Sequence, residues 1–271
     1  IWIKKYDPKT GEYYKKKQVF WKMEGFKNLS DLRQRIEPYY RRKTKAEVAK
    51  SLPDVIEEER VITLLPKQYE MYQKLYDEMV IKLQEQDLNP SLTGGFITKF
   101  LEVCDSLALI NDEEDISSKL DEAVDIIREN IDTHKIVVFS WFKKTLKLLE
   151  TRLNKHKIPI IRIDGETPLE ERTNAIDIFH KMSEPKVFCT TISISSFGID
   201  LTPADICLFL SRSYTPSTNE QAISRLHRAS QKNPVNVITF ITEGTAEERV
   251  SEILRTKKDL FKQIFSKQQL K

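Results

Sequence analysis

The sequence predicts an α/β protein in which a parallel sheet is flanked by helices and preceded by a mainly helical segment. From residue 118 onward, short apolar runs rich in Ile, Val and Phe alternate with amphipathic helices. This alternation is typical of a parallel sheet covered by helices on both faces. Before residue 118 the apolar residues mostly recur at helical spacing. We therefore divide the chain into residues 1–65, 66–117 and 118–271.

Residues 1–65 combine a basic start with short elements. The Lys- and Tyr-rich stretch 1–29 lacks a clear period, and we interpret it as an irregular or hairpin-like lead-in. Ser30 is a candidate N-cap, and a β-branched, apolar run around residue 61 favours a strand. The elements predicted here are a helix from Ser30 to Tyr40, a helix at 44–51 and a strand at 59–65.

Residues 66–117 are predicted to be helical. Pro66 suits the first turn of a helix, and apolar residues follow it at helical spacing. Helices are therefore predicted over 66–86 and 95–110, and an acidic loop over 111–117.

Residues 118–271 contain five predicted strands, which is the content of one compact domain. Each strand is short and apolar, and each is separated from the next by polar or helical sequence. The strands are predicted at 136–140, 159–163, 186–190, 206–210 and 235–241, and the helices at 118–130, 142–155, 168–182, 217–226 and 245–264.

The composition describes a soluble globular protein with a polar surface. Hydrophobic residues make up 39 % and charged residues 31 % of the chain, with a formal net charge of +3. No apolar run approaches the roughly 20 residues that span a bilayer, so no membrane partner is expected. Cys104, Cys189 and Cys207 lie in apolar runs. We interpret them as reduced core thiols of a cytosolic or nuclear protein.

Basic charge is concentrated at the two ends of the chain. Residues 1–50 hold 15 Lys and Arg against 6 Asp and Glu, and residues 255–271 hold six against one. Such ends suggest contact with a polyanion. Solvated, Lys-rich helix faces explain the same charges equally well.

Glycine is scarce, since the chain contains only 7. Phosphate loops of the GxxxxGK[ST] and GxGxxG types need glycines at fixed spacing, because the backbone must approach the phosphates closely. No pair of glycines here has that spacing, so the chain is predicted to lack a nucleotide cradle of its own. The histidines also lack HExxH spacing and no GxSxG is present, so neither a metal site nor a triad hydrolase is expected.

Small hydroxyl residues follow several of the predicted strands. Ser140 ends one strand, Thr190 and Thr191 end another, and Ser195-Ser196 follow shortly afterwards. Ligands of open parallel sheets bind at the carboxyl ends of the strands, and Ser and Thr hydroxyls contact nucleic-acid phosphates in many complexes. Ordinary turn and N-cap chemistry is the alternative for any single one of them.

Two arginines suggest phosphate chemistry. Arg225 and Arg228 are three residues apart in a predicted helix, so both guanidinium groups are expected on one face. Two such cations can stabilise the charge on a transferring γ-phosphoryl group, as arginine fingers do. A surface ion pair is the structural alternative. Gln221, one turn earlier, and Gln231 favour the catalytic interpretation.

The same region resembles a known family. The stretch FCTTISISSFGIDLTPADICLFLSRSYTPSTNEQAISRLHRASQ resembles the last two motifs of the Swi/Snf-type DNA-translocating ATPases of helicase superfamily two. The matching segments are Gly198-Ile-Asp-Leu201, Ala204-Asp-Ile206, Tyr214-Thr-Pro216, and Gln221-Ala222 through Arg225, Arg228 and Gln231. Ser118-Lys-Leu120, Lys135–Ser140 and Arg162–Gly165 with Arg172 and Phe179 look like earlier motifs in the same order. The resemblance covers roughly residues 25–255.

The resemblance implies a fold and a missing partner. The family has two RecA-like lobes, so residues 118–271 would be the second, of the P-loop NTPase type. Residues 1–65 would be the tail of the first lobe and the protrusion, with the predicted strand completing the sheet of that lobe, and residues 66–117 a helical protrusion and linker. ATP with Mg²⁺ would be held mainly by the N-terminal lobe, which is a predicted partner. This chain alone would bind no cofactor and would not hydrolyse ATP.

The resemblance also assigns residues to roles. Arg225 and Arg228 would be the arginine fingers, and Gly198, Asp200 and Gln221 would lie near the nucleotide or between the lobes. Residues at the strand ends would hold the backbone of double-stranded DNA. These are Ser140, Trp141, Arg162, Gly165, Thr190 and Thr191.

Some residues depart from the family pattern. Ser195-Ser196 stand where the family has paired glycines, and Asp200 stands where it has Asn, which weakens the expected DNA contact of that turn. The acidic run at 112–115 imitates a metal-binding box, but Asn111 separates it from the apolar run before it and no phosphate loop precedes it, so we interpret it as a solvated linker between the lobes.

Two alternative functions remain open. A lobe of an RNA or strand-separating helicase would usually show HRxGRxxR, whereas this chain shows QAxxRxxR. A non-catalytic RecA-like DNA- or protein-binding module would not need Arg225 and Arg228. The expected location is the cytoplasm of a bacterial or phage system, or the nucleus in a eukaryote.

Overall fold

The computed structural model describes residues 2–7, 12–17, 27–39, 52–85, 90–111, 114–184 and 186–265. The chain forms two compact units, one from residues 1–42 with 261–271 and one from residues 43–260. The predicted helix at 44–51 and residues 112–113 of the acidic loop lie outside the described residues.

The first unit contains a β-hairpin. Strands β1 (Trp2–Asp7) and β2 (Glu12–Lys17) pair antiparallel, with Trp2 opposite Lys17 and Asp7 opposite Glu12. The prediction of a hairpin-like lead-in is confirmed.

A short helix follows in the same unit. Helix α1 (Leu29–Ile36) continues into a 3₁₀ turn at Glu37–Tyr39. Its N-cap is Asn28, whose φ of 58° is left-handed, a conformation that Asn tolerates better than most residues. The prediction that Ser30 caps this helix is wrong, because Ser30 lies inside the first turn.

The second unit is built on a six-stranded sheet in the order β3-β8-β7-β4-β6-β5, with all neighbours parallel. The five strands predicted after residue 118 are confirmed to within a few residues. The six strands are β3 (Val55–Ile62), β4 (Ile136–Ser140), β5 (Ile160–Ile163), β6 (Val187–Thr191), β7 (Ile206–Phe209) and β8 (Val235–Thr242).

The edge strand β3 corrects a prediction. It begins four residues before the predicted strand, and it pairs with β8 from Val55 opposite Val235 to Ile62 opposite Thr242. The expectation that this strand completes the sheet of another lobe is therefore wrong. The charged run at 57–60 concealed the strand pattern, and charges of this kind protect a sheet edge from further pairing. The functional division of the chain at residues 65 and 117 stays a prediction.

The helices lie close to their predicted positions. One predicted helix, 95–110, is divided in the structure into α3 and the short α4. The helices of this unit are α2 (Pro66–Glu85), α3 (Pro90–Asp105), α4 (Ala108–Asn111), α5 (Ser118–Asn130), α6 (Lys143–Lys155), α7 (Leu169–Lys181), α8 (Pro216–Leu226) and residues 246–260 of α9 (Ala246–Phe265).

Both faces of the sheet are buried against helices. Buried residues of α5 and α6, among them Leu120 and Leu149, pack with Val138 on one face. On the other face Phe179 of α7 and Leu226 of α8 pack with Val137. The prediction of a parallel sheet covered on both faces is confirmed.

Helices α2 and α3 form a third apolar cluster. The ring centroids of Tyr72 and Phe100 lie 4.8 Å apart, beside the buried Cys104. The Tyr72 hydroxyl accepts a hydrogen bond from the backbone N–H of Ala246 at 2.8 Å. The helical segment is therefore bonded directly to the start of α9.

A buried charge cluster also joins this helical segment to the sheet. Lys119 of α5 has no exposed side-chain surface, and its Nζ lies 2.8 Å from Oδ1 of Asp105 and 2.6 Å from Oε1 of Glu247. Thr145 donates a hydrogen bond to the other oxygen of Asp105 at 2.8 Å, and the N–H of Thr242 donates to Glu247 at 2.9 Å. Each buried carboxylate thus has a cation and a further donor, as buried charge requires.

The three cysteines are free and buried. Burial raises the pKa of the Cys104, Cys189 and Cys207 thiols, which makes them unreactive at neutral pH. Within the ranges that the structure describes, no helix has the length and apolarity to cross a membrane.

Candidate functional site

Arg225 is fixed by the turn that follows β6. The turn is a 3₁₀ helix at Ile192–Phe197, and the Nε of Arg225 donates a hydrogen bond to the Ser195 carbonyl at 2.6 Å. The Arg225 carbonyl accepts from the N–H of Leu201 at 3.0 Å. One residue of α8 therefore holds both ends of the segment 195–201.

Arg228 lies beyond the end of α8, which finishes at Leu226. The prediction that both arginines share one helix is therefore wrong, since His227 leaves helical geometry with a ψ of 80°. The two residues nevertheless interact, because burial and then the charge of Arg228 lower the pKa of Arg225.

No acid in the described ranges of the chain neutralises either guanidinium. Arg225 and Arg228 are both half-buried. Within the described part of the chain, no carboxylate forms an ion pair with either. Two adjacent cations without an acidic partner repel each other, so an anion between them is favoured.

Gln231 stabilises the end of the helix that carries Arg225. Its side chain is 8 % exposed, and its Nε2 lies within hydrogen-bond distance of the carbonyls of Thr202, Ala204 and Leu226. Its Oε1 accepts from the N–H groups of Lys232 and Asn233 at 2.8 and 3.0 Å. Gln231 therefore joins the end of α8 to the segment that leads into β7.

The residues predicted near the nucleotide lie around Arg225. Gly198 is exposed with a φ of 77°, a conformation that favours glycine. Asp200 accepts a hydrogen bond from the N–H of Thr202 at 3.1 Å through Oδ1. Both are in the segment that Arg225 holds at its two ends, and Gln221 is exposed one turn before Arg225 on α8.

The residues predicted to contact DNA all lie at or near the carboxyl ends of β4, β5 and β6. Ser140 is opposite Thr191 in the pairing of β4 with β6, and Ile163 is opposite Thr190 in that of β5 with β6. The prediction that the sheet brings these positions together is confirmed by the register. Their exposure differs, however.

Ser140 and Trp141 end β4 in different environments. Ser140 is fully buried, and its Oγ lies 3.1 Å from Oγ of Ser211 and accepts from the N–H of Phe142 at 3.0 Å. Trp141 is 44 % exposed, and its backbone N–H donates to Ser211 at 2.9 Å. Of these two residues, only Trp141 has exposed surface that a ligand could contact.

Arg162 and Gly165 stand at the end of β5. The Arg162 guanidinium is paired with Glu150 at 2.7 Å and with Asp164 at 3.0 Å, and the hydrogen bond to Glu150 raises its pKa. Gly165 is exposed, and its carbonyl accepts from Arg172 at 2.9 Å.

Thr190 and Thr191 end β6 with side chains that are 0 % and 3 % exposed. The Thr191 hydroxyl lies 3.1 Å from that of Ser193. Direct phosphate contact by the buried hydroxyl of Thr190 or Ser140 would require a rearrangement. The contact assignment is retained for the exposed positions.

Two participants were not among the predicted site residues. Ser211 joins the ends of β4 and β7 through its hydroxyl, and its position directly after a predicted strand was the available signal. The carbonyl of Ser195 orients Arg225, but a backbone acceptor leaves no signature in the side-chain sequence. Among the described residues, no group of three or more His, Cys, Asp or Glu side chains is arranged to hold a metal ion.

Comparison with known proteins identifies this lobe. Residues 118–230 match the family model of the helicase conserved C-terminal domain. The Sulfolobus solfataricus SWI2/SNF2 ATPase core in complex with dsDNA is 28 % identical with a TM-score of 0.67, over 88 % of this chain and 52 % of that one. Residues 118–230 thus form a helicase C-terminal domain that is similar to those of Swi/Snf-type ATPases. The isolated C-terminal domain of that ATPase, 24 % identical, has the same fold with a TM-score of 0.64, over 79 % of this chain and 90 % of that chain.

Curated relatives extend the comparison. The ATP-dependent helicase fft1 of Schizosaccharomyces pombe is 36 % identical over 52 % of this chain and 15 % of its own length. An uncharacterized ATP-dependent helicase of Mycoplasma genitalium is 28 % identical over 90 % of this chain and 24 % of its own length. The chain thus spans less than a quarter of the length of either relative.

The match to the family model covers the candidate site. Every predicted site residue from Ser140 to Arg228 falls within residues 118–230. The fold class is confirmed as a parallel sheet of the kind found in the C-terminal RecA-like domains of Snf2 ATPases. The individual roles of these residues stay predictions.

Proposed function

We propose that this chain is the second lobe of an ATP-dependent translocase on double-stranded DNA, and that it supplies arginine fingers and DNA-backbone contacts. The observation that carries the proposal is the pair Arg225 and Arg228, adjacent cations without a described carboxylate partner. One of them is oriented through Nε by the Ser195 carbonyl at 2.6 Å.

The guanidinium groups of Arg225 and Arg228 have the charge and the donors to bind the terminal phosphates of ATP. Because the Ser195 contact uses only Nε, the terminal nitrogens of Arg225 stay available, and a guanidinium can bind phosphate oxygens through two of them. Positive charge at this point stabilises the charge that develops during phosphoryl transfer. ATP with Mg²⁺ supplies the phosphoryl group, and in this proposal both are held mainly by the first lobe.

The segment 195–201 would couple the position of Arg225 to the boundary between this lobe and the first lobe. Gly198 and Asp200 lie in this segment, and Gln221 lies one turn before Arg225. We assign these three residues to the nucleotide side of the boundary between the lobes. The first lobe of the same protein is then the partner that completes the site.

Duplex DNA would run along the carboxyl ends of β4, β5 and β6. Trp141 and Gly165 present surface there, while the buried hydroxyls of Ser140, Thr190 and Thr191 and the paired Arg162 hold the strand ends in place. Contacts of this kind recognise the backbone rather than the sequence, and they weaken as salt rises. We place the protein where duplex DNA is found, in the bacterial cytoplasm or the eukaryotic nucleus.

The test is ATP hydrolysis by the full-length gene product that contains this chain. We expect duplex DNA to stimulate hydrolysis more strongly than single-stranded DNA or duplex RNA does. We also expect no turnover above background from residues 1–271 alone. Hydrolysis that ignores duplex DNA would contradict the translocase, and turnover by this chain that Arg225→Ala abolishes would contradict its dependence on another lobe.

A further inference from the structure

Phe197 is a large apolar side chain that the fold leaves exposed. It is the last residue of the 3₁₀ turn after β6, directly before Gly198, and it is 65 % exposed. A single exposed apolar residue is common on protein surfaces. This ring differs because a second side chain holds it in a defined place.

That second side chain is Arg172 of α7. Its guanidinium carbon lies 5.1 Å from the centroid of the Phe197 ring, within the range of a cation–π contact. Its Nε donates to the carbonyl of Thr167 at 2.7 Å and its Nη2 to that of Gly165 at 2.9 Å. We call the pair the Arg172–Phe197 platform.

The platform keeps its positive charge. Both hydrogen-bond acceptors of Arg172 are neutral carbonyls, and none of the ion pairs among the described residues includes it. A guanidinium that is bonded in this way still attracts anions. The ring is therefore fixed over a cation that no described acid neutralises.

The platform also lies between the carboxyl ends of two neighbouring strands of the sheet. Gly165 follows β5, and the turn that carries Phe197 follows β6, the neighbouring strand. Ser193, Ser196 and Gly198 are exposed in the same stretch, so hydroxyls and bare backbone surround the ring. These are groups that contact phosphates and sugars in nucleic-acid complexes.

We infer that Phe197, held by Arg172, packs against the sugar and base edges of the DNA strand that crosses between the ends of β5 and β6. The inference rests on the proposed function. Nucleic acid offers apolar surface beside anionic phosphate, and an aromatic ring next to an arginine matches that combination. Apolar side chains of other DNA-binding proteins also contact DNA through the minor groove, where they insert between base steps.

A neighbouring residue provides a matched control. Leu169 is 75 % exposed and also follows β5. Glu170 and Glu171 come directly after it in the first turn of α7, and their charge repels phosphate. Leu169 therefore has similar exposed apolar character without an attraction for DNA.

The experiment measures binding of this chain to a fluorescent 30-base-pair duplex by anisotropy at several salt concentrations between 50 and 200 mM. We expect Phe197→Ala to weaken binding about fivefold or more, the range of an aromatic contact to a base. Phe197→Tyr and Leu169→Ala should stay within about twofold of the unsubstituted chain. The slope of log affinity against log salt should not change, because a ring releases no counterions.

Each other outcome overturns the inference. If the unsubstituted chain binds duplex DNA and Phe197→Ala binds equally well, the ring faces something else, such as the first lobe, and the proposed function stands. If Phe197→Ala lowers the salt slope, the ring acts only by positioning a phosphate contact. A chain that binds no duplex at all contradicts the proposed function together with the inference.

Discussion

The Nζ of Lys119 lies 2.8 Å from Oδ1 of Asp105, and neither side chain has any exposed surface. Asp105 ends α3 in the helical segment, whereas Lys119 lies in the first turn of α5, which packs on the sheet. Glu247, at the start of α9, accepts from the same ammonium at 2.6 Å. A single buried cation thus fastens the helical segment, the RecA-like sheet and the last helix to one another.

Removing the Lys119 ammonium should lower the free energy of unfolding substantially. Lys119→Met leaves two buried carboxylates side by side, and breaking a buried ion pair from one partner costs about 3–5 kcal/mol. Urea unfolding at pH 7 measures the effect. The control is Lys181→Met, because Lys181 pairs with Asp177 on the surface, where both side chains are more than half exposed, and such pairs contribute less than about 1 kcal/mol. Equal losses of stability for the two variants would show that the cluster is not the fastening described here.

Gln231 should be a stability residue rather than a catalytic one. Gln231→Ala removes the hydrogen bonds to the carbonyls of Thr202, Ala204 and Leu226. Leaving buried backbone groups unpaired costs about 1–3 kcal/mol. Chemical denaturation of Gln231→Ala against Gln221→Ala, an exposed glutamine of α8, checks this. A midpoint for Gln231→Ala that matches the Gln221→Ala midpoint would refute the supporting role.

Stability should fall in mildly alkaline solution because three thiols are buried. Burial raises the pKa of Cys104, Cys189 and Cys207, whereas thiols of the unfolded chain ionise near about 8.5. As pH rises past that value the unfolded state loses protons first, so the free energy of unfolding decreases. Urea midpoints at pH 7.5 and 9.5 should differ more for the unsubstituted chain than for a variant with all three cysteines changed to Ala. An identical shift in both proteins would remove the thiols as the cause.

The alternating part of the fold was predictable because each of its elements carries its own signal. The strands after residue 118 are apolar throughout and are bounded by turns, so local sequence located them. Strand β3 was predicted four residues too late, since Glu57, Glu58, Glu59 and Arg60 occupy its centre, and its first residues are identified only by their pairing with β8. Pairing over such a separation leaves no local trace.

In the candidate site, too, some features could be predicted from the sequence and others could not. Arg225, Arg228 and Gln221 could be singled out from spacing alone. The Ser195 carbonyl that orients Arg225 could not, because backbone acceptors are invisible in a side-chain pattern. Spacing also misplaced Arg228 on α8, which ends two residues earlier, and it could not tell exposed strand ends such as Trp141 from buried ones such as Ser140.

The ion pairs of Lys119 with residues distant in sequence could not be predicted either. Lys119 meets partners that are 14 and 128 residues away in sequence. As a charged residue near a helix start, it would ordinarily be placed on the surface. Its burial follows from tertiary packing, which brings two carboxylates to it.

The role of Arg228 as an arginine finger is measured by the rate of ATP hydrolysis by the full-length gene product with saturating duplex DNA, unsubstituted against Arg228→Ala. Arg249→Ala is the control, because Arg249 is an exposed arginine that pairs with Glu252 on α9. We expect Arg228→Ala to lower kcat by about 10³ or more, while KM for ATP and affinity for DNA stay within a few-fold and Arg249→Ala leaves all three unchanged. Equal kcat for Arg228→Ala and the unsubstituted enzyme would contradict that role.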